Sequence, residues 1–232
     1  MKLSHFLIPV ALPFLLSVPL AAQSVEIAQI DFQSDPFQSS SSTSNQDLTL
    51  KLNYGPSLVS AGADAGWSQS SGTLFARAMQ LSGEPILALG KSSKNLPEDE
   101  DRVIETASFI EFSLAPKEDQ RISLDELRVR IGSQRLAQNE KRTESFTTQF
   151  FIRSSVDDYQ NTLGAGRIYL GAASSASNTH WEEIEVDLRS DPSFENISKE
   201  VQFRIYIYLT TSEPNWLQVA RVDDIVLTGT IH

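Results

Sequence analysis

The fold is decided by residues 201–209, VQFRIYIYL, in which aliphatic or aromatic side chains alternate with polar ones along the whole segment. Successive side chains of a β-strand point to opposite faces, so a period of two places one set toward a core and the other outward. The outward set here is Gln202, Arg204, Tyr206 and Tyr208. The segment therefore predicts a half-buried strand with a basic and aromatic outer face.

The same alternation recurs along the rest of the chain. It is present at residues 48–52, 110–114, 127–131, 146–153, 184–188 and 225–227. No window shows a sustained helical period, and the charged segment 91–102 is expected to be a loop. Many short strands separated by polar turns predict an all-β protein, a sandwich or a barrel with antiparallel pairing.

The amino terminus has the pattern of a cleaved signal peptide. Residues 1–22 combine Lys2, an apolar run at 6–20 and small residues at the end. That run is interrupted by prolines and is shorter than the roughly 20 apolar residues of a membrane span. We therefore expect a secreted protein, extracellular or periplasmic, in which residues 23–232 form a single β-sandwich domain.

Composition excludes several classes of function. The chain has 30 acidic and 19 basic residues, a formal net charge of −11, and no cysteine. An acidic surface repels phosphate backbones and anionic lipids, which argues against nucleic acids and membrane surfaces as partners. The absence of cysteine excludes thiolate metal sites and thiol catalysis.

The residues that could support catalysis are few. Beyond the signal peptide the histidines are His180 and His232, and the chain has no Gly-x-Ser-x-Gly motif. Glu183 and Glu185 share one strand face with Asp187, and glycoside hydrolases act through paired carboxylates. The simpler interpretation is a solvated strand face. A polysaccharide-degrading enzyme, a glycoside hydrolase or a lyase, is therefore the alternative rather than the main prediction.

Arginine and tyrosine point instead to ligand binding. If their strands are neighbours, Arg153, Arg204, Tyr206 and Tyr208 form a platform that could bind an extracellular polysaccharide by stacking and bidentate hydrogen bonds. The competing interpretation is that arginines on these outer faces pair with glutamates of adjacent strands. These glutamates are Glu111, Glu183 and Glu185.

A structural calcium ion is the one cofactor that the sequence indicates. Asp223 has the same parity as Ile225 and Leu227, so its carboxylate is expected to point toward the core. A carboxylate there needs hydrogen bonds or a metal, and together with Asp31 it offers the oxygen ligands that Ca²⁺ prefers. The alternative is a carboxylate that accepts backbone N–H groups in a turn.

Several phrases together resemble a known group of secreted bacterial domains. They are IDF at 30–32, IRSSVD at 152–157, Trp181 with VDL at 186–188, VQFRIY at 201–206, and RVDDI at 221–225 with Gly229. They are similar to jelly-roll domains of proteins that often end in a PEP-CTERM sorting tail. Such domains look like galactose-binding or concanavalin-like sandwiches.

The resemblance implies an antiparallel jelly roll and adds weight to a calcium role for Asp223. It covers nearly all of the predicted mature chain, except that no sorting tail follows Gly229, so anchoring through that tail is not expected. Taken together, the sequence predicts a secreted, non-catalytic β-sandwich module that binds carbohydrate or has a structural role in the extracellular matrix.

Overall fold

A computed structural model of the chain describes residues 24–30, 41–43, 48–54, 59–60, 74–81, 84–91, 100–105, 107, 109–135, 145–171, 179–211 and 218–232. The elements within these residues are β1 (Val25–Ile30), β2 (Ser41–Thr43), β3 (Leu48–Tyr54), β4 (Val59–Ser60), β5 (Leu74–Leu81), β6 (Glu84–Lys91), α1 (Glu100–Glu105), β7 (Phe109–Pro116), β8 (Ile122–Arg135), β9 (Phe146–Ser154), β10 (Gly164–Leu170), β11 (His180–Asp187), β12 (Val201–Thr211) and β13 (Gln218–Ile231). Every segment in which the sequence shows alternation lies in a strand or overlaps one.

The strands form two sheets. A five-stranded sheet has the order β10-β9-β12-β7-β3, and an eight-stranded sheet has the order β11-β8-β13-β6-β5-β4, with β1 between β13 and β2. Pairing among the described strands is antiparallel except between β4 and β5. The predicted all-β fold, an antiparallel β-sandwich, is confirmed. Each antiparallel sheet packs one face on the core and leaves the other face outside, which explains the alternation of apolar and polar residues along its strands.

The hydrophobic core lies between the two sheets. Phe203 stacks on Phe112 and on Phe194, with ring centroids 5.1 and 5.9 Å apart. A hydroxyl pair crosses the core from one sheet to the other, because Ser133 Oγ lies 2.7 Å from Thr148 Oγ1. The inward-facing side chains of the described core are occupied in packing, so the outer faces carry the described side chains that are available to a ligand.

A bulge in β13 reverses the predicted direction of Asp223. Val222 packs in the core, as does Ile225, but the register with β8 skips between Asp223 and Val226. Asp224 adopts a left-handed backbone with φ 45° at this point. An extra residue in one strand changes which side chains face the core. Asp223 therefore lies on the outer face of the eight-stranded sheet, and the expectation that it points toward the core is wrong.

The short helix α1 was not expected, since its first residues fall in the segment predicted to be a loop. Glu100 and Asp101 in its first turn are favourable there because the amino end of a helix carries partial positive charge. Val103 is completely buried. A helix of six residues is too short for its periodicity to be read from sequence. Nowhere in the described residues does a helix have the length and hydropathy of a membrane span.

Candidate functional site

The five-stranded sheet brings the four predicted platform residues together on its outer face. Strands β9 and β12 are neighbours, and Arg153 is opposite Arg204 in their register. Tyr206 is opposite Phe151, and Tyr208 is opposite Gln149. Because the outward side chains of adjacent strands lie side by side, the platform exists as a cross-strand group. Its four members nevertheless differ in what they can offer to a ligand.

Tyr206 lies under α1 and is 4 % exposed. Its ring stacks on Phe151 at 4.7 Å and meets the edge of Phe109 at 5.4 Å. Val103 belongs to the same buried cluster, and Ile104 packs against it. This aromatic row, Phe109, Phe151 and Tyr206, forms a small second core between the sheet and α1. The ring of Tyr206 is therefore occupied by protein contacts.

Arg204 is held by a cross-strand glutamate. Its Nε donates a hydrogen bond to Glu111 Oε2 at 2.8 Å. The guanidinium is also sandwiched between two rings, 3.7 Å from the Tyr159 centroid and 4.3 Å from that of Phe109. Arginine paired with glutamate on an adjacent strand was the competing interpretation of the platform, and Arg204 has that arrangement.

Tyr159 closes the edge of this arrangement. Burial raises the pKa of its hydroxyl to about 12, although the positive charge of Arg204 acts in the opposite direction. The neutral hydroxyl donates a hydrogen bond to Gln202 Oε1 at 2.6 Å. The ring is thereby fixed over Arg204, which leaves little of that guanidinium for a ligand.

Arg153 ties α1 to the sheet. Its Nη2 lies 3.0 Å from Glu100 Oε1, and its Nη1 donates a hydrogen bond to the backbone oxygen of Tyr159 at 3.0 Å. The same guanidinium lies 5.2 Å from the Phe151 ring centroid. Arg153 thus positions the helix that covers the aromatic row and neutralises the carboxylate at its start.

An open cleft of about 300 Å³ lies beside α1, over β12, β9 and β10. It is lined by Glu100, Gln149, Phe150, Phe151, Ala165, Gly166, Arg167 and Tyr208. Three of these form one row across the sheet, since Tyr208 is opposite Gln149 and Gln149 is opposite Arg167. With strands about 4.8 Å apart, the row extends over roughly 10 Å. It presents an aromatic ring, an amide and a guanidinium to the same space.

Gly166 lets the wall of the cleft approach the core closely. A Cβ added at this position would lie 2.5 Å from the ring of Phe150. A side chain here would displace that ring, so the glycine is required by packing rather than by backbone conformation. Tyr169 is two residues further along β10 and 65 % exposed. It places a second aromatic ring on the outer face of the edge strand, one row beyond Arg167.

Tyr208 is the one residue of the predicted platform that lines the cleft. The sequence analysis did not identify the other polar residues of the cleft, which are Arg167, Gln149 and Glu100. Arg167 lies in a glycine-containing strand, GAGRIYL, with little hydrophobic alternation at its start. Gln149 is recognisable as outward-facing by its parity in β9, but its neighbours depend on strand order. Glu100 belongs to the helix that was not expected. Cross-strand register was the missing information.

Asp223 is an ion-pair partner on the other sheet. Its Oδ2 lies 3.4 Å from Arg130 Nη1, and the Oδ2 of Asp224 lies 3.7 Å from the same nitrogen. An adjacent guanidinium opposes cation binding, so the surroundings of Asp223 do not fit a calcium ligand. Asp31 lies outside the described residues. Within the described part of the chain no group of three or more potential ligands surrounds a possible metal position. Calcium binding as such stays a prediction.

The hydrolase candidates lie at the far edge of the eight-stranded sheet. Glu183 and Glu185 are exposed on β11, an edge strand, opposite Arg130 and Arg128 in the register with β8. Arg130 pairs with Asp223, and Arg128 Nε lies 3.1 Å from Glu126 Oε1. The two glutamates share an outer face, as predicted, but on the sheet that does not carry the cleft.

The two histidines have different surroundings. His180 is exposed at the start of β11. His232 Nε2 lies 3.2 Å from Ser123 Oγ and 3.1 Å from Thr230 Oγ1. A nucleophilic serine needs a histidine that a third group orients. Among the described residues the hydrogen-bond partners of this imidazole are the hydroxyls of Ser123 and Thr230 rather than a carboxylate. The backbone of His232 pairs with Arg121, which accounts for its position.

The fold and the cleft define an antiparallel β-sandwich with a candidate ligand site on one outer face. No protein-family model matches the sequence, and no curated protein matches it. Several solved structures are similar in shape. A carbohydrate-binding module, TmCBM27, described as recognising mannan, has 10 % identity and a TM-score of 0.40, covering 90 % of this chain and 99 % of its own.

Two further structures show a similar degree of likeness. CBM27-1 of Caldicellulosiruptor saccharolyticus, solved with mannohexaose, has 9 % identity and a TM-score of 0.41 and covers 89 % of this chain and 97 % of its own. The K3 cleaved adhesin domain of Lys-gingipain from Porphyromonas gingivalis has 12 % identity and a TM-score of 0.40, covering 88 % and 99 %. Because these values are low, the assignment of a site rests on the residues of this chain.

Proposed function

We propose that the protein is a secreted, non-catalytic module that binds carbohydrate in the cleft beside α1. The observation that carries the proposal is the row formed by Tyr208, Gln149 and Arg167 across three adjacent strands at the base of a 300 Å³ cleft. Small-ligand pockets begin at about that volume and combine aromatic walls with a few polar groups. The row has this composition.

The three side chains match the two surfaces of a sugar ring. A pyranose has faces of C–H groups, which pack on an aromatic ring such as that of Tyr208. Its rim carries hydroxyls, which need both donors and acceptors. Gln149 supplies an amide with both, and Arg167 supplies several N–H donors in a planar fork. Strands hold these groups at fixed spacing, so little ordering is needed on binding.

The number and pairing of the carboxylates in the cleft favour binding over hydrolysis. Glycoside hydrolysis requires two carboxyl groups about 5–10 Å apart across the bond to be cleaved. Among the described residues that line the cleft the carboxylate is that of Glu100, and Arg153 pairs with it at 3.0 Å. Glu183 and Glu185 lie on the other sheet. A single, ion-paired carboxylate supports binding without hydrolysis.

The proposal includes secretion, because an exported protein meets extracellular polysaccharide. It is supported by the signal-peptide pattern of residues 1–22, which lie outside the described residues. An association with PEP-CTERM proteins is proposed on the short phrases quoted above alone. A structural role in an extracellular matrix is compatible with the same cleft, since a matrix protein that binds polysaccharide would use it.

Affinity electrophoresis and calorimetry on a panel of soluble polysaccharides test the proposal. We expect at least one polymer to bind, and Tyr208→Ala to weaken that binding by about tenfold or more, or at least about 1.4 kcal/mol. Trp181→Ala is the matched control, because it removes an aromatic side chain from the outer face of the opposite sheet. Binding that is equally strong in Tyr208→Ala, or no binding by the wild type, would overturn the proposal.

The enzymatic alternative needs its own assay. Release of reducing ends or unsaturated products from the same polymers would show catalysis. Loss of that activity in Glu183→Gln or Glu185→Gln would place it on β11. The proposal expects no product with any polymer that binds.

A further inference from the structure

Arg167 differs from the other arginines on the outer faces. Arg128 pairs with Glu126, Arg130 with Asp223, Arg153 with Glu100 and Arg204 with Glu111, while Arg221 is buried and donates a hydrogen bond to Gln134. Arg167 is exposed and lines the cleft, and within the described part of the chain no carboxylate lies within ion-pairing distance of it. Its guanidinium is the positively charged group of the cleft that the protein leaves without a counter-ion there.

The carboxylate of the cleft does not offset this charge. Glu100 Oε1 is bound to Arg153 Nη2 at 3.0 Å, so those two groups neutralise each other at the wall of the cleft. Among the described residues that line the cleft, Arg167 then sets the charge, which is positive. A pocket that is positive within a protein of net charge −11 is a departure from the composition of the whole chain.

The negative charge of the whole protein does not decide what binds at this point. At physiological ionic strength exposed charges are screened over about 8 Å. Acidic residues beyond that distance repel an anion weakly, whereas a guanidinium in contact with it forms two parallel, charge-assisted hydrogen bonds. The nearest unneutralised charge therefore dominates the recognition of a bound group.

We propose that the glycan carries an anionic group, a carboxylate or a sulfate, which Arg167 binds in bidentate fashion while the sugar ring packs on Tyr208. This inference rests on the proposed function, because it names the class of ligand for the same cleft. A planar carboxylate and a tetrahedral sulfate ester each present two terminal oxygens that can accept two parallel hydrogen bonds from a guanidinium. The spacing of the row places the anion at the β10 end of the cleft and the stacked face at the β12 end.

Matched pairs of polymers test the inference and distinguish the two anions. Polygalacturonate is compared with its methyl ester, in which the carboxyl group is uncharged, and carrageenan is compared with chemically desulfated carrageenan, which keeps the same sugar units without the sulfate. We expect the wild type to bind the anionic member of one pair at least about tenfold more tightly. The pair that shows this preference identifies the anion.

Variants of Arg167 attribute the preference to that side chain. Arg167→Gln is expected to bind both members of the pair equally, and Arg167→Lys to keep part of the preference because a point charge remains without the planar fork. Lys117→Gln is the control, since it removes one exposed positive charge just after the end of β7 that is remote from the cleft. We expect it to bind like the wild type.

The possible failures are distinct. If anionic and neutral polymers bind equally to the wild type, or if Arg167→Gln keeps the preference, the inference is wrong. In that case binding that still depends on Tyr208 leaves the proposed function standing. If no polymer of either pair or of the wider panel binds, both the inference and the proposed function are wrong.

Discussion

On the outer face of the five-stranded sheet Tyr208 and Arg167 line an open cleft, whereas on the eight-stranded sheet Arg221 and Asp223 are only 2 % and 5 % exposed. Arg221 Nε donates a hydrogen bond to Gln134 at 3.1 Å, and burial lowers the pKa of this guanidinium to about 10. Both faces are built from outward-facing polar side chains of long strands. Arg221 and Asp223 are held by partners within the eight-stranded face, whereas Arg167 on the other face is exposed beside the cleft.

Strand parity fixes which face a side chain lies on, but it does not determine how exposed that side chain is. Tyr206 and Tyr208 are two residues apart on the same face, yet α1 covers the first and leaves the second on the cleft. Arg130 and Arg167 are both outward-facing, yet Arg130 is inserted between Trp181 and Asp223. What lies over the strand decides whether a side chain serves stability or binding.

Removing Tyr206 tests whether the middle of the five-stranded face is a second core. Tyr206→Ala is expected to cost about 3–5 kcal/mol of unfolding free energy, because the large-to-small change leaves a cavity under α1. Urea denaturation measures it, and Tyr208→Ala is the matched control on the same strand. We expect that control to cost much less. Equal losses in the two variants would contradict the distinction between the covered and the open part of the face.

Removing Arg130 tests whether charge pairing holds the eight-stranded face together. Arg130→Ala takes a partner from the buried Asp223 and a cation from the Trp181 ring, and should cost about 1–3 kcal/mol in the same denaturation experiment. Arg128→Ala is the control, because its pairing with Glu126 is partly solvated and should be worth about 0–1 kcal/mol. A loss in Arg128→Ala as large as in Arg130→Ala would show that these pairs are not what distinguishes the face.

The smallest expected effect concerns calcium. A ligand that binds only the folded state raises the melting temperature, and a chelator reverses that change. Because Arg130 is the partner of Asp223, we expect Asp223→Asn to show the same calcium response as the wild type, whatever its size. Thermal melts with added Ca²⁺ and with chelator measure this. A response present in the wild type and lost in Asp223→Asn would return Asp223 to the role of metal ligand.

Much of the fold followed from local patterns, and the site did not. The alternation at 201–209 predicted β12 and its outward residues correctly, because side-chain direction in a strand is fixed by the backbone of that strand alone. The same rule failed at Asp223, since one extra residue at the bulge reversed the faces. The bulge depends on pairing with β8, about 90 residues away in the sequence, which no local pattern contains.

Local sequence patterns were sufficient to predict the class of structure and to exclude thiol chemistry. They also predicted the outward position of Arg153, Arg204, Tyr206 and Tyr208. These depend on composition and on a period of two, which are properties of single segments. Three relations depend on the tertiary structure. The helix α1 covers Tyr206, and Glu111 forms an ion pair with Arg204. Arg167 and Tyr208 lie in one row across three adjacent strands. Those relations arise from strand order and register, because residues distant in the chain become neighbours only when the sheets assemble.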